Sequence, residues 1–263
     1  MTVQSMSRPV DVDLSTSVLA RAFTVLDCLP TNGGGITLTQ LSELTGVPKG
    51  SLHRMLAQLV ALEVLRREED RYHLGRHLFS LTRCADPDVR LREAALPHMV
   101  ELHEQTRATI HLGVLDGVDV LYVERLGKTG RTNYPTRIGH RMPAYCTGLG
   151  KAMLAYSRSS APIEQVIARG LVRRTPRTIS MPGIFLKELR RTREDGHACD
   201  REEAFVGLNC LAAPIMDDSG PIAAMSLSMN GSAEQNSRNV NLLINAAQQI
   251  TRSLRSRRAA VAT

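Results

Sequence analysis

At 263 residues and 43% apolar side chains, the chain has length for a small domain and a medium one, each with its own core. Aromatic residues make up 3% and tryptophan is absent, so those cores must rest on Leu, Val, Ile, Ala and Met. The formal charge of +7 suits an anionic partner such as nucleic acid, whereas five cysteines without a C-x-x-C pair, eight scattered histidines and no apolar run near ~20 residues argue against a zinc site, a disulfide framework and a membrane-spanning helix.

The polar segment 1–15 reads as a frayed terminus with no signal peptide, and the odd cysteine count makes a reducing cytoplasm the expected setting. A helix is expected from about Ser17 to Leu29, capped by Ser15, Thr16 or Ser17, with Val18, Leu19, Ala22, Val25, Leu26 and Leu29 along one side. Arg21 lies near its start, where it either reaches a phosphate or stays solvated. The stretch Pro30-Thr31-Asn32-Gly33-Gly34-Gly35 cannot propagate a helix. No Lys-Ser/Thr follows it, so it reads as a connector rather than a phosphate loop.

Residues Thr37 to Leu62 carry the strongest local signal. They read as two short helices around a tight turn. Thr37 or Thr39 caps the first, Leu41 and Leu44 give it an apolar side, and Gly46 ends it. Pro48 suits the first turn of the second, where a missing N–H costs nothing. At about 100° per residue, Leu52, Met55, Leu56, Leu59 and Leu62 gather on one face. Gly50, Ser51, Arg54, Ala57 and Gln58 fall on the other, flanked by Lys49 and His53. A helix entering the DNA major groove needs such a face: little bulk, polar groups near its N-terminus, and a forked donor for guanine or phosphate. An ordinary helical hairpin with a solvated face is the alternative.

Val64 to Arg67 and Arg71 to Leu74 form a β-hairpin around Glu68-Glu69-Asp70. A hairpin after a helix-turn-helix is the wing of a winged-helix domain. Its Arg66, Arg67 and Arg71 can touch phosphate or the minor groove, although the acidic tip argues against deep insertion. Leu74 to Cys84 reads as a short helix, Asp86-Pro87-Asp88 as a boundary, and the next helix runs to about Thr106 with Pro97 kinking or interrupting it. The linker is placed at 76–90, between a DNA-binding domain at 1–75 and a second domain at 91–263.

Beyond it the pattern alternates. Strands are expected over Ala108 to Leu115 and Val118 to Arg125, with Asp116-Gly117 as the turn, and a third at Asn133 to Ile138. A helical run covers Met153 to Tyr156, with further helices at 162–169 and 182–195, the latter ended by Gly196. Strands are expected near 197–200, 206–215 and 221–229, then a last helix over 233–256 whose arginines suit the negative end of its dipole. Hairpins mixed with long helices indicate an α+β domain with an antiparallel sheet.

In this order the segments SVLARAFTVLDCL, LTQLSELTGVPKGSLHRMLAQLVALEVL, RYHLGRHLF, PAYCTGLGKAMLA, RRTREDGHACDREEAFVGLNCLAAPI and AAMSLS resemble the IclR family of bacterial transcriptional regulators over nearly the whole chain. The resemblance implies a winged helix-turn-helix domain, a linker helix and a GAF-like domain that senses a small molecule. It also implies a homodimer formed through the DNA-binding and linker parts, often paired into a tetramer, on a roughly palindromic double-stranded operator. Gly50 departs from the family, where Ser or Thr is common at that point, and this loses a possible DNA contact.

The same resemblance implies an effector pocket. Gly148 and Leu149 present backbone N–H groups at a helix N-terminus, which favours an anion. Asp200 precedes the sheet core and is suited to a ligand hydroxyl or a water. Cys210 stands opposite Ser226 and Ser228, which are two apart and so face one side of a strand. Leu208 and Tyr134 form walls. The segment at Gly148-Leu149-Gly150-Lys151 is not a P-loop, since Ala152 stands where Ser or Thr is needed. Small organic acids are the expected effectors. The PAYCT stretch is similar to members sensing aromatic acids such as hydroxybenzoate or protocatechuate, and Arg131 or Arg137 could reach a carboxylate. No cofactor or metal is expected. Rival readings are a second domain that only oligomerises, and an enzyme pairing His111, His140 or His197 with Cys146, Cys199 or Cys210. No nucleophile-elbow or metal motif supports catalysis.

Overall fold

The computed structural model describes residues 17–29, 34–85, 88–127, 136–229 and 237–261. Contacts divide the chain into two compact units, residues 1–86 and 87–263. No helix among the described residues is long and apolar enough to cross a membrane.

The first unit begins with α1 (Val18–Asp27), whose first turn is capped by the Ser17 hydroxyl accepting from Ala20 N–H. Strand β1 (Ile36–Thr37) leads into α2 (Leu38–Thr45). Of the two possible caps Thr37 takes the position. Its hydroxyl accepts from Gln40 N–H, while Gln40 Oε1 accepts from Thr37 N–H at 3.0 Å, so two first-turn donors are satisfied reciprocally. Gly46 ends α2 at φ 69°, with its N–H on Ser42 O. Pro48 stands one residue before α3 (Lys49–Ala61). Leu52, Leu56 and Leu59 of α3 pack with Val25, Leu41, Leu65 and Tyr72 in the core of this unit. The hairpin β2 (Leu65–Glu68) and β3 (Arg71–Leu74) closes through Glu69-Asp70, and α4 (Arg76–Ala85) follows.

Three details differ from the sequence reading. β1 is a short strand that pairs Ile36 with Tyr72 and makes the wing three-stranded, in the order β1-β3-β2. Two residues are too few to show an alternation. Leu44 and Leu62 are exposed, the second because it lies past the end of α3. On α1 Val25 is buried, as is Leu29 just past its end, but Val18 and Leu19 face outward with Phe23.

The second unit is an antiparallel sheet between two helical layers. Its strands are β4 (Thr109–Asp116), β5 (Asp119–Leu126), β6 (Arg141–Pro143), β7 (Ala198–Arg201), β8 (Asn209–Asp217) and β9 (Gly220–Met229), in the spatial order β6-β5-β4-β9-β8-β7. One face packs on α5 (Val89–Thr106) and α9 (Ser237–Val261) through Ile110, Leu112, Leu211, Met225 and Leu227. The other packs on α6 (Gly148–Tyr156) and α8 (Pro182–Asp195), with α7 (Ala161–Arg169) beside them. Gly117 turns the first hairpin at φ 63° and Gly196 ends α8 at φ 76°.

Here too the structure departs from expectation. Of the two outcomes expected at Pro97, interruption does not occur, and α5 continues through it as one helix. Burial of Ala94, Ala95, Met99 and Leu102 on both sides of the proline offsets its ~3 kcal/mol penalty. The third strand is Arg141–Pro143 rather than 133–138. Residues 133–135 lie outside the described residues, and 136–140 form a turn that hydrogen-bonds Tyr122.

Candidate functional site

Two surfaces carry the residues singled out above, one in each unit. On α3 the residues Lys49, Gly50, Ser51, His53, Arg54, Ala57 and Gln58 are all exposed, while Leu52, Leu56 and Leu59 anchor the opposite face. No hydrogen bond or ion pair to another described residue holds Arg54. Nothing lies within 4 Å of a Cβ built at Gly50, so packing does not demand a glycine there. Thr39 is exposed in the first turn of α2 and Arg21 on α1.

The wing arginines are exposed but engaged. Arg66 pairs with Glu68. Arg67 donates to Glu69 O at 2.8 Å and lies 5.7 Å over the Tyr72 ring. Arg71 bonds Gly34 O and Gly35 O. These bonds organise the hairpin around its acidic tip, and phosphate would have to compete with them.

In the second unit, a small and mostly filled cavity lies between the sheet and the start of α6. The antiparallel register places its floor. Asp200 on β7 stands beside Cys210 on β8, Cys210 beside Ser228 on β9, and Ser226 beside His111 on β4. Gly148, Leu149 and Leu208 complete the predicted residues that line it. Tyr134 and Arg131 lie outside the described residues, and Arg137 is exposed, away from the lining. The sequence reading missed His111, Tyr122, Thr136, Thr147, Ala204 and Phe205. For His111, on β4, a signal existed. Ile110 and Leu112 pack on the α5–α9 side, so period two sends His111 to the cavity side.

The N-terminus of α6 is held close to the floor. Thr147 caps it, accepting from Gly150 N–H at 3.2 Å, and Lys151 N–H bonds Thr147 O. Gly148 and Leu149 contribute the first two N–H groups, which no helix can satisfy from within. A Cβ at Gly148 would sit 3.2 Å from Ala212 Cβ, and one at Gly150 only 2.2 Å from Ala144 O. The glycines thus let the helix start approach the sheet and the preceding turn.

The chemistry of the cavity is mostly neutral. Burial, then the nearby Asp200, push the Cys210 thiol well above its ordinary pKa. Its partner is the Ser228 hydroxyl at 3.1 Å, while Cys146 points its thiol at Pro143 O. Neither is arranged as a nucleophile beside an imidazole. Asp200 is 1% exposed and accepts from the N–H groups of Glu203 and Ala204. Burial raises its pKa to about 7, against the attraction of Lys151. Lys151 itself is fully buried, 2.5 Å from Glu203 Oε1 and 3.4 Å from Glu188 Oε1. Burial works against its charge, but the two carboxylates outweigh it and raise its pKa.

Comparison with known proteins agrees with this division. Residues 18–69 match the IclR helix-turn-helix domain, and residues 87–252 match the bacterial transcriptional regulator IclR C-terminal domain. The HTH-type transcriptional regulator KdgR of Escherichia coli (strain K12) is 32% identical over 244 residues, covering 90% of this chain and 92% of that protein. The HTH-type transcriptional regulator XynR of the same organism is 32% identical over 212 residues, covering 79% and 84%. Among solved structures, an IclR homolog complexed with 4-hydroxybenzoate from Microbacterium hydrocarbonoxydans matches with a TM-score of 0.78 at 26% identity, covering 91% of this chain and 100% of that one. The Thermotoga maritima IclR matches with a TM-score of 0.75 at 26% identity, covering 90% and 98%.

Proposed function

Because this chain belongs to the IclR family of bacterial transcriptional regulators, with a DNA-binding and an effector-binding domain, we propose that a small carboxylate, aromatic in character, controls its hold on an operator. The observation that carries this reading is the cavity itself. The start of α6, with its unpaired first N–H groups, and the Ser226 hydroxyl line the same small cavity, so uncharged donors converge on one place. Such a set suits a carboxylate without requiring a buried counter-cation. That a structural relative, 26% identical, is complexed with 4-hydroxybenzoate supports an aromatic acid.

On the DNA side, α3 enters the major groove and reads bases with Arg54, helped by Lys49, Ser51, His53 and Gln58. Arg21, Thr39 and the wing arginines take phosphates. The operator is roughly palindromic and the working species is a homodimer, with the apolar residues Val18, Leu19 and Phe23 exposed on α1 available to a second copy. Residues 76–90 act as the linker between a DNA-binding part at 1–75 and an effector-binding part at 91–263. The effector binds one arrangement better than another and thereby shifts their populations.

The test pairs two assays. Thermal shift with benzoate, 4-hydroxybenzoate, protocatechuate and glyoxylate identifies a stabilising acid; gel shift on promoter fragments then follows operator binding with and without it. Arg54→Ala is expected to weaken operator binding by about 1–3 kcal/mol and leave non-specific DNA unchanged. No stabilising acid in the panel would defeat the effector reading, and an equal loss on all DNA would move Arg54 to a phosphate.

A further inference from the structure

We propose that His111 is a ligand-binding residue of the cavity, donating an uncharged Nε2–H to the carboxylate of the effector. The inference rests on the carboxylate reading above and adds the residue and atom.

His111 is 3% exposed and lines the cavity beside Ser226, its register partner across β4 and β9. Its ring is fixed. Tyr122 packs edge-on at 5.3 Å between centroids, and the Nδ1 atom faces Ser228 Oγ at 3.4 Å. The other nitrogen, Nε2, is buried and has no hydrogen-bond partner among the described residues. A buried polar atom left without a partner is costly and rare. A bound group that pairs with it removes that cost.

The neighbours decide which kind of group. Burial, then the charge of Arg125, hold the His111 pKa down at about 3, so the ring is neutral and carries one proton. Burial likewise keeps Cys210 a thiol. Ser228 Oγ lies between the two and has a single proton to give. Imidazole nitrogen accepts well and thiol sulfur poorly. The chain of donors therefore runs from Cys210 S–H to Ser228 Oγ, and from Ser228 O–H to His111 Nδ1. With Nδ1 accepting, the ring proton sits on Nε2. That N–H joins the first N–H groups of α6 and the Ser226 hydroxyl as donors around one place, and the partner they share is an acceptor with several lone pairs.

The full-length protein and its His111→Phe and His111→Gln variants are titrated calorimetrically with benzoate and with 4-hydroxybenzoate. The phenylalanine keeps the bulk and removes the donor. The glutamine amide reaches the place of Nε2 with an N–H. Affinity for both acids is expected to fall about ten-fold or more in the first variant and to stay within about three-fold in the second. In the unsubstituted protein, nitrogen-15 spectra of the imidazole test the same point even if His111→Phe does not fold. They are expected to show Nε2 protonated, with its proton shifting on benzoate saturation. Unchanged affinity in a folded His111→Phe, or a ring protonated on Nδ1, would overturn the assignment. If both acids bind while affinity and ring signals ignore His111, only this inference fails. If neither acid binds the unsubstituted protein, the carboxylate reading fails and the inference falls with it.

Discussion

Lys151 is an ammonium without solvent, and its place in the core depends on Glu203 and Glu188 within 3.4 Å. Lys151→Met leaves the buried Glu203 carboxylate without its cation, while Glu188 keeps Arg201 at 3.3 Å. It is expected to cost about 3–5 kcal/mol in denaturant unfolding, and Glu203→Gln in the same chain to return part of it. A single variant as stable as the parent would show the pair to be dispensable. Asp200 behaves differently because burial lifts its pKa to about 7, above the ~3.9 of an unfolded aspartate. Between those values the folded chain holds a proton that the unfolded chain lacks. Stability from this group is therefore present at low pH, falls as pH rises from about 4 to 7, and levels off above. Asp200→Asn keeps an oxygen for the Glu203 and Ala204 N–H groups but removes the titration. The difference in melting temperature between the two proteins should change across that window, and parallel curves would count against the shift.

Helix starts do much of the positioning, and glycines mark two different demands upon them. At Gly150 a side chain would meet the Ala144 backbone at 2.2–2.6 Å, and backbone cannot swing aside. Gly150→Ala is expected to destabilise by at least about 1–3 kcal/mol and to weaken effector binding, since α6 must move from the turn that precedes it. Gly50 is the opposite case: it lies on the exposed face of α3 with open space around it. Gly50→Ala should stabilise by about 0.5–1 kcal/mol through the unfolded chain's lost freedom. Thermal melts of both variants check the contrast. Equal and opposite signs to those given would mean that local packing has been misread at one helix start.

Across the whole molecule, two separate sites must influence each other for an acid to control an operator. Linkage makes this reciprocal. If saturating effector changes the operator dissociation constant by some factor, within the usual range of about 5–150, saturating operator DNA must change the effector constant by the same factor. Calorimetric titration of the acid in the presence and absence of operator measures it. An effector constant indifferent to DNA, beside an operator constant that responds to effector, would mean that the two experiments follow different species.

Much of the fold was legible because the rules that govern it are short in range. The Thr37 cap, the Gly46 stop and the leucine face of α3 all act within one or two helical turns, and the alternation of β4 acts within two residues. These features determined the helix-turn-helix and which face of β4 turns inward. Family resemblance then pointed to Gly148, Asp200, Cys210, Ser226 and Ser228, which the structure gathers on one cavity. Other features were decided only by tertiary structure. β1 exists because Ile36 finds Tyr72, and α5 passes Pro97 because both sides of it are buried. His111 meets Ser228 across 117 residues of chain, and Lys151 meets Glu203 across 52. Pairing at such separation, and the burial that sets protonation there, depend on which strands become neighbours, and no local pattern encodes that choice.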